Sequence, residues 1–173
     1  MSNFIINPYI IVTPLETFAT TTFTNNDANT LDPRIFGSTV AVGIKIIDVD
    51  ALNITNPSLV KFIMQGKGSP SGTVSCKIYD AGGSLLATSS DTYAASSIPT
   101  SATVKEFNFS DSLTMTDNYH IVVTCSGSNN LDNSVGVKSY SVRDESTIVT
   151  FAYNDGSWKI NNNYNCGFYI EGV

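Results

Sequence analysis

Residues 72–80 read GTVSCKIYD, and their alternation decides the fold class. On an extended chain Val74, Cys76 and Ile78 share one face, and Thr73, Ser75, Lys77 and Tyr79 share the other, because successive strand side chains point to opposite sides. The same period of two recurs on both flanks. SLVKFIMQ (58–65) alternates, NYHIVVTCS (118–126) groups Tyr119, Ile121, Val123 and Cys125, and NCGFYIEG (165–172) groups Cys166, Phe168 and Ile170. VAVGIKII (40–47) is apolar nearly throughout and reads as a central strand covered on both sides. TVKEFNF (103–109), GVKSYSV (136–142) and TIVTFAY (147–153) complete the set. Turn signals separate these runs: GKGSPSG, DAGG, SSIPTS, SGSNN and NDGS. No helical period exceeds a turn or two. Short strands at this spacing predict an all-β sandwich or barrel.

Composition narrows the function classes. The chain has 173 residues, 42% of them hydrophobic but only 14% charged. Ser, Thr and Asn supply the polarity, a mixture typical of extracellular β-proteins and virion parts. Net charge is −6 and the sequence pI about 4.5. Neither nucleic acid nor anionic lipid is an expected partner, since both select a Lys/Arg footprint. No apolar run reaches the ~18–20 residues of a membrane helix, so no membrane insertion is expected. The three cysteines, Cys76, Cys125 and Cys166, sit in strand-like runs. An odd count is not a self-contained disulfide framework, and buried free thiols are the expectation.

The N-terminus raises a separate question. FIINPYIIV (4–12) is greasy, but no Lys or Arg precedes it and Asn7 and Pro8 interrupt it. It does not read as an export signal. Its β-branched and aromatic residues favour extended backbone, and Pro8 and Pro14 forbid a continuous helix. Residues 1–35 therefore read as an extended arm, and 36–173 as the sandwich. Phe4, Ile5, Ile6, Pro8, Tyr9, Ile10 and Ile11 are the assembly residues if the arm packs on a neighbouring subunit. Forming the first strand of its own body is the plainer alternative.

The pieces GTVSCKIYDAGGSLLATS, EFNFSDSL and NYHIVVTCSG follow one another within 69–127, and the chain closes with DGSWKINNNYNCGFYIEG. In that order they resemble the jelly-roll "choice-of-anchor"-type module of prokaryotic surface proteins and phage structural proteins. The resemblance covers roughly 69–172 and implies a two-sheet antiparallel jelly-roll β-sandwich. Residues 1–35 match nothing in that module. The opening FIINPY also looks like the short apolar start of many phage structural proteins. In a two-sheet fold Val60, Phe62, Val74, Ile78, Phe107, Ile121, Val123, Phe168 and Ile170 should face inward.

Catalytic constellations are not evident. His120 is the only histidine, G-x-S-x-G does not occur, and no catalytic or metal-ligating residues are assigned. Asp48/Asp50 and Asp144/Glu145 read as solvated loop acids. A structural calcium ion is the functional alternative there, and no other cofactor is implied. Asn53 and Asn108 fit the glycosylation pattern, which matters only in a eukaryotic secretory chain. Trp158 follows a turn and precedes the Asn-rich stretch NNNYN (161–165). Tyr153, Asp155, Trp158, Asn161, Asn162 and Tyr164 could converge at one sandwich end as a sugar site. The plainer reading has Trp158 plugging the end of the core.

These features lead to two expectations. The first is a non-enzymatic virion structural protein of a prokaryotic virus: a capsid decoration, fibre or tail-associated subunit. It would be made in the host cytoplasm and located on the virion, with other virion proteins and copies of itself as partners. The second is a carbohydrate-binding, lectin-like module that recognises surface glycans.

Overall fold

The computed structural model of the chain describes residues 3–5, 34–37, 39–48, 56–110, 113–127, 129–141, 149–161 and 164–172. Ile6, Pro8, Tyr9, Ile10, Ile11, Asp50, Asn53, Asp144, Glu145 and Asn162 lie outside the described residues. The described secondary structure is all strand apart from one 3₁₀ turn, Ala95–Ser97. No helix among these residues is long and apolar enough to cross a membrane.

Two six-stranded antiparallel sheets share one core. The first contains β1 (Asn3–Ile5), β2 (Arg34–Ile35), β4 (Pro57–Lys67), β7 (Thr103–Asn108), β9 (Ser134–Val137) and β14 (Phe168–Gly172). The second runs β12 (Trp158–Asn161), β11 (Val149–Asn154), β3 (Ala41–Ile46), β8 (His120–Cys125), β5 (Thr73–Tyr79) and β6 (Leu85–Ala94). A two-stranded ribbon joins β10 (Ser139–Ser141) to β13 (Tyr164–Cys166).

Strand β4 organises the first sheet. β14 and β7 both pair with Leu59–Phe62 and so occupy opposite edges of it. β9 pairs further along, at Met64–Lys67. The ribbon leaves where β9 ends: Lys138 N–H donates to Ile63 O, and Gly167 N–H donates to Lys138 O. β14 also accepts β1, with Asn3 opposite Gly172, Phe4 opposite Glu171 and Ile5 opposite Ile170. The run 165–172, read as one strand, divides at Gly167: Tyr164–Cys166 pairs with β10 in the ribbon, and Phe168–Gly172 pairs with β4 and with β1.

All nine residues predicted to face inward are buried in the shared core. Phe62, Phe107 and Phe168 are its largest fully buried side chains. β3 is central, between β11 and β8, and all its residues but Lys45 are buried; its inner face packs in the core, while Val40 and Ala41 border an open groove on the outer side and not a second covering layer. Cys76, Cys125 and Cys166 are thiols not joined in disulfides; the first and last are buried and Cys125 is half-buried. Burial pushes the Cys76 and Cys166 thiols far above their ordinary value, because a thiolate there would lose its hydration.

Candidate functional site

The outer face of the second sheet carries a groove of about 400 Å³. Its floor comes from alternate residues of neighbouring strands. On β5 these are Thr73, Ser75, Lys77 and Tyr79, the polar face of the stretch that fixes the fold class. Thr124 of β8 sits opposite Ser75, and their hydroxyls lie 3.1 Å apart. Thr88 and Thr92 of β6 line the far side.

A bulge brings those two threonines to the same groove. Ser75 pairs with Thr92 and Lys77 with Thr88, so four steps on β6 face two on β5. Ser89 fills the irregularity. Its buried hydroxyl accepts the Cys76 N–H at 3.0 Å and donates to Asp91 O at 2.8 Å. The side chain thereby replaces a lost ladder bond, a recurrent role at bulges beside functional surfaces.

Trp158 forms one wall. The hairpin register sets it opposite Asn154, hence on the outer face. Its indole stacks on the His120 imidazole, with ring centroids 4.1 Å apart and planes 14° apart, and meets Tyr79 edge-on at 5.3 Å. Gly83, at φ +87°, passes beneath it; a Cβ there would stand 3.1 Å from the indole nitrogen.

His120 is only 4% exposed, and its Nδ1 finds no hydrogen-bond partner among the described residues. Burial holds its pKa below the ordinary 6.5, and the Lys45 ammonium acts in the same direction. The Asp80 backbone and carboxylate oppose both. Tyr79 from β5, Lys45 from β3 and Trp158 from β12 are the groups that face the ring, with Asp80 at the turn. The sign of the pH effect follows. The unfolded chain binds a proton on this imidazole at a higher pH than the folded chain does. Stability is therefore complete above 6.5 and falls as the pH drops from there through the lowered folded value. Melting temperatures should decline over that range, and His120→Gln should remove that part of the slope. Equal slopes for both proteins in thermal melts would refute this.

The residues expected to converge around Trp158 take different places. Tyr153 pairs with Val42 and packs against the core from the inner face, opposite Trp158. Asp155 binds the Lys159 ammonium at 2.5 Å. Asn161 is half-buried opposite Phe151, and Tyr164 contributes backbone pairing to Ser141. Trp158 itself is outside the core cluster, so it does not plug the core. Asp48 is half-buried at the end of β3, and no group of three or more potential metal ligands occurs among the described residues.

Sequence reasoning placed Ser75, Lys77 and Tyr79 on a common outward face without marking them as a site. Their neighbours Thr88, Thr92 and Thr124 come from other strands, and only pairing register unites them. No family model matches the chain, and no curated protein matches it.

Proposed function

We propose that this chain is a non-enzymatic structural protein of a prokaryotic virion, folded as a jelly-roll sandwich of the choice-of-anchor type. In this reading its N-terminal arm docks on neighbouring subunits and its sandwich is displayed outward. One observation supports the reading: Asn3–Ile5 pairs along β14 of its own chain, as the plainer alternative of a first body strand also has it, so this segment can add to a strand edge. Strand addition uses main-chain hydrogen bonds for affinity and alternate side chains for register, and an equivalent edge on a neighbouring copy would accept the same segment. Repetition on a symmetric particle would strengthen each weak contact through avidity.

Removing residues 1–33 tests this while retaining β2. The truncated chain should stay folded, with an unchanged β spectrum, and sediment as a monomer. The full chain should sediment as an oligomer. A full chain that is itself monomeric would overturn the assembly role, and a truncation that unfolds would assign the segment to its own body.

The groove supports a second reading, a carbohydrate-binding module. Hydroxyls that both donate and accept, beside an aromatic wall, suit a polyhydroxylated ligand with apolar C–H faces. A glycan array with Trp158→Ala as the control tests it; wild-type protein that retains no glycan would end this reading.

A further inference from the structure

We infer that the groove on the outer face of the second sheet binds an acidic saccharide, a sugar bearing a carboxylate, and that Lys77 receives that carboxylate. This deepens the carbohydrate-binding reading and rests on it.

Charge selects the ligand class. The chain is acidic overall, at −6, yet among the described residues no Asp or Glu lines the groove. Lys77 is the cation that does. Lys61, Lys67 and Lys159 each hold a carboxylate, on Glu106, Asp132 and Asp155. Lys77 is in no such pair among the described residues. In the sheet Lys77 pairs with Thr88 of β6 on one side and with Val122 of β8 on the other. A cation in a groove that no Asp or Glu lines is a ready partner for one negative group, and charge-assisted hydrogen bonds are the stronger kind.

The remaining surface selects a sugar rather than a bare anion. Ser75, Thr88, Thr92 and Thr124 line the same groove as Lys77 and offer hydroxyls, with Trp158 as the wall. An inorganic anion would use the ammonium and leave the aromatic wall idle. A nucleic acid would need several cations along a track, and among the described residues the groove has one. The volume, about 400 Å³, lies near the lower end of the ~300–1,000 Å³ range of small-molecule sites, which suits a short saccharide.

The test uses the full chain and its own reporter. Trp158 is the single tryptophan, so intrinsic fluorescence reads the groove directly. Sialyllactose, a short uronic-acid oligomer, lactose and inorganic phosphate are titrated separately. One or both acidic sugars should perturb the emission saturably, lactose should bind more weakly, and phosphate should not compete. Sialyllactose alone or the uronate alone would identify the source of the carboxylate. Lys77→Gln should weaken binding of the acidic sugar by about tenfold or more, the loss of one charge-assisted contact. Lys105→Gln, on the other sheet, should leave it unchanged. Circular dichroism of each variant confirms the fold, and calorimetric titration repeats the measurement without the fluorophore. Lactose binding as tightly as the acidic sugars, or wild-type affinity in Lys77→Gln, would overturn the carboxylate assignment and leave a neutral sugar site. Phosphate competing at equal affinity would reduce the groove to an anion site and overturn the proposal. No binding of any sugar would remove both the proposal and the reading beneath it.

Discussion

Phe62→Ala should cost about 3–5 kcal/mol, because it removes a large buried ring from a core that can close only partly around the gap. Phe62 is fully buried at the middle of β4, with Phe168 of β14 on one edge and Lys105 of β7 on the other. The strand that carries it also supplies Val60 and Met64 to the core, both fully buried. A hole there loses contacts to both sheets, since the core cluster includes Val42, Ile44, Ile121 and Val123 from the opposite one. For a chain of this length the loss corresponds to a fall of about 6–20 °C in melting temperature. Phe62→Leu retains most of the apolar volume and should fall less. A melt of Phe62→Ala within a degree or two of wild type, followed by circular dichroism, would mean that β4 does not bridge the two sheets through this ring.

The legible part of the fold is the part where side-chain size and polarity alternate together. β5 shows this cleanly, with Val74, Cys76 and Ile78 buried and Thr73, Ser75, Lys77 and Tyr79 turned outward. β6 does not: none of the runs read as strands covers it, although it is a ten-residue strand. Its buried positions hold Ala87 and Ser89, while Leu85 and Leu86 are exposed. Small inward residues and large outward ones invert the usual pattern, so hydrophobic periodicity has nothing to detect. The reason is structural: Ser89 is inside because a bulge needs its hydroxyl.

The site divides in the same way. Trp158 is conspicuous as the sole tryptophan after a DGS turn, but its destination depends on pairing. Asn154 opposite Trp158 puts the indole on the face away from Tyr153, which separates two residues that proximity along the chain suggests should meet. His120 lies 38 positions upstream, and its stacking on Trp158 follows from how the second sheet brings β8 and β12 together, information absent from either local stretch. Local sequence thus identifies strand faces, while the groove exists only once the register of all six strands of the second sheet is fixed.

Gly43→Ala should be nearly as damaging as loss of the Phe62 ring, by the opposite mechanism. Gly43 lies in β3, between Ala152 of β11 and Val122 of β8. A Cβ added there would stand 2.3 Å from Ile121 O and 2.7 Å from Val122 Cα. Both are backbone atoms of a paired strand, so no rotamer change relieves the clash. The strands must part, and they carry Val42, Ile44, Ile121 and Val123, all fully buried. Gly43 O also accepts the Cys166 thiol at 3.2 Å, tying the ribbon to this point. Overpacking a well-filled interior typically costs about 1–3 kcal/mol, and a backbone clash in a central strand belongs at the upper end. Gly82→Ala is the matched control: its Cβ would meet only the half-buried Asp80 carboxylate, a side chain and not backbone, at 3.3 Å, and its melt should stay near wild type. Because β8 also carries His120 opposite Lys45 of β3, parting these strands should disturb the indole stack and shift tryptophan emission along with the melting temperature. Gly43→Ala with wild-type stability and unchanged emission would show that β3 and β8 do not approach this closely in solution, and the groove that depends on their register would lose its foundation.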